Sequence, residues 1–163
     1  MRGRAVRDKV LSITVSDGRK PMLTRFASFG LALVATTGLA TAAPVAFSPD
    51  ASGAITFMMP SGNVACIYTP AGGSSVYTPA DGGPELSCDR AAPSYLRFTL
   101  AASGPASVIG DVGDPGCCGG SNSFAYGQSW NMAPFSCTSA TTGLVCKRGG
   151  SGFTISKSKI EAH

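Results

Sequence analysis

Apolar residues along this chain come in short runs, separated by glycine, proline, asparagine, aspartate or serine roughly every eight to twelve positions. The defining stretch is FMMPSGNVAC, residues 57–66, where one apolar run ends in Pro60-Ser61-Gly62-Asn63 and a second follows at once. That order predicts a strand, a tight turn and a return strand, with Val64, Cys66 and Tyr68 on one face by the period-two rule. Further strands are predicted over 54–58, 64–68, 85–88, 95–100, 108–110, 124–130, 134–138, 143–147 and 152–156. Leu96, Phe98 and Leu100 share a face of one of them. Phe124, Tyr126 and Trp130 share a face of another.

Residues 134–138 and 143–147 read as a second hairpin around a loop at 139–142, and the polar tail 157–163 reads as one helical turn. Beyond residue 42 no apolar set keeps a 3.6-residue spacing over three turns. The expectation is all-β: a small disulfide-stapled antiparallel sandwich or open barrel.

The N-terminal stretch does not belong to that pattern. From Met22 the chain reads MLTRFASFGLALVATTGLATAAPVAF: a basic Arg25, an apolar run and a small-x-small Ala40-Thr41-Ala42. This is the form of a cleaved secretory signal over 22–42, with a retained membrane anchor as the alternative. Residues 1–21 make a long basic preamble, most simply a sign that translation starts at Met22, otherwise a long leader. The organisation is thus a leader at 1–42 and one domain at 43–163, which the 163-residue length accommodates.

Setting the leader aside changes the charge. Residues 1–42 hold seven of the 13 lysines and arginines and two of the nine acids. Six basic residues then face seven acidic ones, a net of about −1 in place of +4. The basic whole-chain balance is therefore no argument for nucleic acid, and cleavage leaves no segment for stable membrane insertion.

Six cysteines remain: Cys66, Cys88, Cys117, Cys118, Cys137 and Cys146. An even number in a small exported chain reads as a disulfide framework. Cys66 and Cys88 flank a loop of about twenty residues, whose closure is worth on the order of 3 kcal/mol by chain entropy. Cys137 and Cys146 would cross-link the second hairpin. The adjacent Cys117 and Cys118 admit three readings: separate partners, a bridge to each other, or a soft-metal or redox pair. Gly116, Gly119 and Gly120 give the backbone there room to bend.

The ordered set FMMPSGNVAC, Cys88-Asp89, Ala125-Tyr126-Gly127, Phe135-Ser136-Cys137, Gly143-Leu144-Val145-Cys146 and Gly150-Ser151-Gly152-Phe153-Thr154-Ile155-Ser156-Lys157 resembles a family of small secreted bacterial domains of unknown function. The resemblance spans roughly residues 54 to 158. It implies an exported, disulfide-bonded β-domain and brings no catalytic residues. The chain departs from that pattern at Ser151, where such domains often carry histidine, and in the adjacency of Cys117 and Cys118.

Catalytic chemistry finds few footholds. The single histidine is His163, the last residue, a poor position for a catalytic triad, and multi-histidine zinc sites are excluded. The body's acids are Asp50, Asp81, Glu85, Asp89, Asp111, Asp114 and Glu161. Asp111/Asp114 or Asp81/Glu85 could form the carboxylate pair of a polysaccharide hydrolase, against the default of solvated loop acids. Asp111-Val-Gly-Asp114 lacks the spacing of a calcium loop. No cofactor and no metal are expected.

The aromatic stripe is by default a core face. Tyr126 and Trp130 are the candidate binding residues should it prove a sugar-stacking platform. Lys147, Arg148, Lys157 and Lys159 form a modest basic patch, by default solvated, otherwise a contact for anionic envelope polymer. The leading expectation is a non-enzymatic, secreted β-domain that binds an extracellular protein or a cell-envelope polymer. A small carboxylate-dependent hydrolase is the alternative.

Overall fold

The computed structural model describes residues 41–120 and 122–163; the expected leader therefore lies, but for its last two residues, outside the described residues. The period-two stretches do become strands. In chain order they are β1 (Ala43–Val45), β2 (Ile55–Met58), β3 (Val64–Thr69), β4 (Glu85–Arg90), β5 (Leu96–Leu100) and β6 (Ser107–Ile109). β7 (Asn122–Ser123), β8 (Gln128–Met132), β9 (Phe135–Ala140), β10 (Gly143–Arg148), β11 (Ser151–Ile155) and β12 (Ile160–Ala162) complete the set.

They form two open six-stranded sheets, ordered β6-β5-β4-β3-β2-β7 and β1-β8-β9-β10-β11-β12. This is the expected disulfide-stapled β-sandwich. It is antiparallel except at one edge of each sheet, where β7 runs parallel to β2 and β1 parallel to β8. Neither short edge strand is evident from hydrophobic pattern, because each is held by main-chain pairing and by the core aromatic just beyond it in the chain, Phe47 after β1 and Phe124 after β7.

The first hairpin forms as read. Gly62, at φ +69°, occupies the left-handed position that a side chain disfavours. The Met59 amide donates to the Val64 carbonyl at 2.9 Å, which sets Phe57 opposite Cys66. Inward residues of the first sheet, among them Ile55, Phe57, Tyr68, Leu86, Phe98 and Leu100, meet Trp130, Phe135, Leu144, Phe153 and Ile155 of the second. Phe57 is the hub. Its ring lies 5.3 Å from Phe47, 5.3 Å from Phe124 and 5.1 Å from Trp130 between centroids. Cys66–Cys88 and Cys137–Cys146 each join residues that are directly opposite on neighbouring strands, on the buried face.

Three local expectations change. The stripe 124–130 is not one strand: residues 125–127 turn, with Gly127 at φ +83°. Gln128 closes that turn, since its side-chain oxygen accepts the Ala125 amide at 2.9 Å and its own amide donates to the Ala125 carbonyl at 3.2 Å. Phe124 and Trp130 enter the core, while Tyr126 stays on the turn, 41% exposed.

The tail makes a strand, not a helical turn. The Ser156 hydroxyl accepts the amides of Ser158 and Lys159, reversing the chain so that β12 pairs with the free edge of β11. A few polar residues cannot meet the cost of helix nucleation, whereas an open strand edge offers ready-made partners. Lastly, the loop of the second hairpin shrinks to Thr141 and Thr142, since both strands run further than their apolar residues indicate.

Candidate functional site

The alternation that buries Leu86 and Cys88 of β4 turns Glu85, Ser87 and Asp89 to the opposite side. By the same rule β3 presents Ala65, Ile67 and Thr69 there, β5 presents Arg97 and Thr99, and β6 presents Ile109. This outer face of the first sheet is flanked by two loops, residues 70–84 and 110–120. Between them lies a groove of about 590 Å³. Its lining residues are mostly polar but include Ile67, Val76, Tyr77 and Ile109, four of the seven large hydrophobic residues that are exposed among the described residues.

Two hydrogen-bonded clusters organise the floor. At one end the Tyr77 hydroxyl donates to Glu85 Oε1 at 3.0 Å. Glu85 is only 7% exposed, and burial raises its carboxyl above the ordinary glutamate range; the Tyr77 bond opposes the rise and the charge of Asp81 adds to it. At the other end the Arg97 guanidinium clamps Asp89 with two bonds, Nε to Oδ1 at 2.7 Å and Nη2 to Oδ2 at 2.8 Å. Tyr95 donates to Oδ2 of the same carboxylate at 2.5 Å. The Asp89 bonds push the arginine further toward its charged form, and burial followed by the Asp89 bond raises the Tyr95 phenol. Between the clusters, the Ser87 and Thr99 hydroxyls lie 3.2 Å apart.

The third disulfide forms the wall above the second cluster. Cys117 and Cys118 are bridged to each other, and the other four cysteines pair as 66–88 and 137–146, with none left free. The Cys117 amide donates to the Tyr95 hydroxyl oxygen at 3.1 Å, and Cys117 Sγ lies 3.6 Å from the Asp89 carbonyl oxygen. Arg97 Nη2 also reaches the Asp114 carbonyl at 3.5 Å. The loop is thus tied to the sheet through the same residues that build the floor.

The groove does not contain the aromatic candidates. Trp130 is 1% exposed, packed against Phe57 and Tyr68 between the sheets, so it offers no ring to a sugar. Tyr126 lines a smaller cavity of about 350 Å³ with Ser61, Asn63 and Lys157. The stripe fails as a platform because one glycine turns the chain between its members.

Of the acid pairs, Glu85 enters the groove while Asp81 stays on the exposed loop and accepts the Gly83 amide at 3.0 Å. Asp114 lines the groove and Asp111 does not. The basic patch is dispersed, with Arg148 donating to the carbonyls of Ala101 and Gly104 and Lys159 pairing with Glu161 at 3.0 Å.

Asp89, Arg97, Tyr95 and Tyr77 carry the site, and sequence reasoning missed all four as site residues. The signal was present in Glu85-Leu86-Ser87-Cys88-Asp89: with the leucine and cysteine inward, the three polar residues must share the other face. The chemistry open to the groove depends on how its polar atoms are engaged. Both Asp89 oxygens are occupied, so that carboxylate is not a free base. Glu85 and Asp89 are four residues apart on one strand, about 13 Å between Cα atoms, beyond the spacing of a glycosidase pair. Among the described residues no three of His, Cys, Asp and Glu gather to hold a metal ion. His163 is held at the edge of the second sheet, exchanging backbone bonds of 2.6 and 2.9 Å with Gly152.

Comparison with known protein families, with curated proteins and with solved structures gives no match for this chain.

Proposed function

We propose that the protein is an exported, non-enzymatic binding domain whose outer-face groove holds a segment of an extracellular protein. The carrying observation is the composition of that groove: the exposed apolar side chains of Ile67, Val76, Tyr77 and Ile109 beside a polar floor in which Asp89 is paired with Arg97 and Glu85 accepts from Tyr77. Val76 is 91% exposed, a position that gains from being covered. Glu85, Asp89 and Asp114 outweigh Arg97, so the charge favours a segment with apolar and basic side chains over an anionic envelope polymer. Export through a cleaved signal at 22–42, and membership among small secreted bacterial domains, belong to the same reading. Three disulfides fit an oxidising compartment, which supports it.

The test is capture from envelope and culture extracts by the immobilised, oxidised protein. A partner retained by the parent and by Tyr126→Ala, but lost with Ile67→Asp, supports the groove. Recovery no better than with a reduced, unfolded control refutes binding, and equal recovery with Ile67→Asp refutes the groove.

One observation favours the second reading, a small carboxylate-dependent hydrolase acting on envelope polysaccharide. Burial raises the Glu85 carboxyl above the ordinary glutamate range, the direction in which a general acid is tuned. Asp81, close enough for its charge to act on Glu85, would supply the second carboxylate. Polysaccharide cleavage that disappears in Glu85→Gln and Asp81→Asn would establish this chemistry in place of simple binding.

A further inference from the structure

The three disulfides occupy two different environments. Cys66, Cys88, Cys137 and Cys146 are all buried, at 4%, 0%, 2% and 0% exposure, and each bridge spans a registered strand pair. Cys117 and Cys118 are half-exposed on a loop above the outer sheet face. A side chain added at Gly116 or Gly119 would meet nothing within 4 Å, so both flanks of this bridge are open. The bridge closes within one dipeptide and cross-links no two strands. Its opening would leave the pairing of both sheets as it is.

We propose that Cys117–Cys118 is a thiol–disulfide exchange site, reduced by dithiols while the sandwich and its two buried bridges stay intact. One thiolate of the dithiol attacks one of the two sulfurs, forming a mixed disulfide and releasing the other cysteine as a thiolate. The second thiol of the reagent, deprotonated, then displaces the first cysteine. Two electrons and two protons pass to the protein, and the dithiol leaves as its own disulfide. The reverse reaction with a disulfide oxidant restores the bridge.

The placement links this chemistry to the groove floor. The Cys117 amide is bonded to Tyr95, which is bonded to Asp89 and through it to Arg97. One of the exchanging sulfurs therefore sits on a residue that joins the loop to the groove floor. The exchange step does not depend on what occupies the groove, so it survives or fails independently of the proposed binding function.

The experiment is reduction of the oxidised protein with dithiothreitol over time. Samples are alkylated, counted by mass and mapped as peptides without further reduction, while Trp130 emission reports on the fold. Two thiols should appear at Cys117 and Cys118 about 100-fold or more faster than at the other four positions, whose reduction waits for strand separation. Trp130 emission should stay constant through this first phase, and C117S/C118S should lack it altogether. Early thiols at Cys66, Cys88, Cys137 or Cys146, loss of the Trp130 signal with the first two thiols, or an early phase persisting in the double variant would overturn the proposal.

Discussion

Removal of each buried bridge separates the contribution of loop length from that of packing. C66A/C88A deletes a cross-link between residues 22 apart, and C137A/C146A one between residues 9 apart. In the chain-entropy account the first closure is worth about 3.4 kcal/mol at 25 °C and the second about 2.6 kcal/mol. All four sulfurs are buried and lie on registered, neighbouring strands, so the loss of packing is similar in the two variants. The difference, about 0.8 kcal/mol in favour of Cys66–Cys88, is then set by the unfolded chain. Urea unfolding followed by the emission of Trp130, the single tryptophan, measures both. Trp130 lies between the sheets, so its exposure reports loss of the whole sandwich. The reasoning is refuted if C137A/C146A is the more destabilised, or if either variant loses less than about 1 kcal/mol.

Two further outcomes concern buried polar groups. Burial raises the Glu85 carboxyl relative to the unfolded chain, so the folded protein holds this proton more tightly and stability falls as pH rises through the glutamate range. Glu85→Gln should remove that dependence, and urea midpoints of the two proteins between about pH 4 and 7 should diverge in favour of the variant as pH increases. Arg90 is 1% exposed and donates to the Ser94 carbonyl at 3.2 Å, the Ser94 hydroxyl at 3.0 Å and the Ser156 carbonyl at 3.3 Å. Arg90→Ala should cost about 3–5 kcal/mol through a cavity and unpaired carbonyls, and Arg90→Lys should recover less than half, since an ammonium lacks the guanidinium fork; the same urea experiment decides both.

Fold class was readable because a strand with one buried face writes its burial into the chain every second residue. Val64-Ala65-Cys66-Ile67-Tyr68 and Leu96-Arg97-Phe98-Thr99-Leu100 needed nothing else. Chain proximity favoured the bridges 66–88 and 137–146, but six cysteines allow 15 pairings and only the strand register joins these two pairs. The adjacent pair was open among three readings, because spacing cannot say whether a distant partner comes within reach. The stripe Phe124, Tyr126, Trp130 misled for a related reason. Periodicity assumes a continuous strand, and Gly127 at φ +83° interrupts it.

Sequence by itself, then, determined the all-β class and the inward and outward assignment of the main strands, both consequences of local geometry and of apolar burial, while the disulfide connectivity was settled by which strands became neighbours. Tertiary structure alone decided which outward residues meet. Asp89 and Arg97 are eight residues apart in the chain and become a clamped pair only because β4 and β5 are in register. Tyr95 meets Cys117 across 22 residues because a loop of glycines folds back over the sheet. Such contacts depend on strand order and loop path, which are set by the sum of long-range packing and leave no periodic trace in the chain.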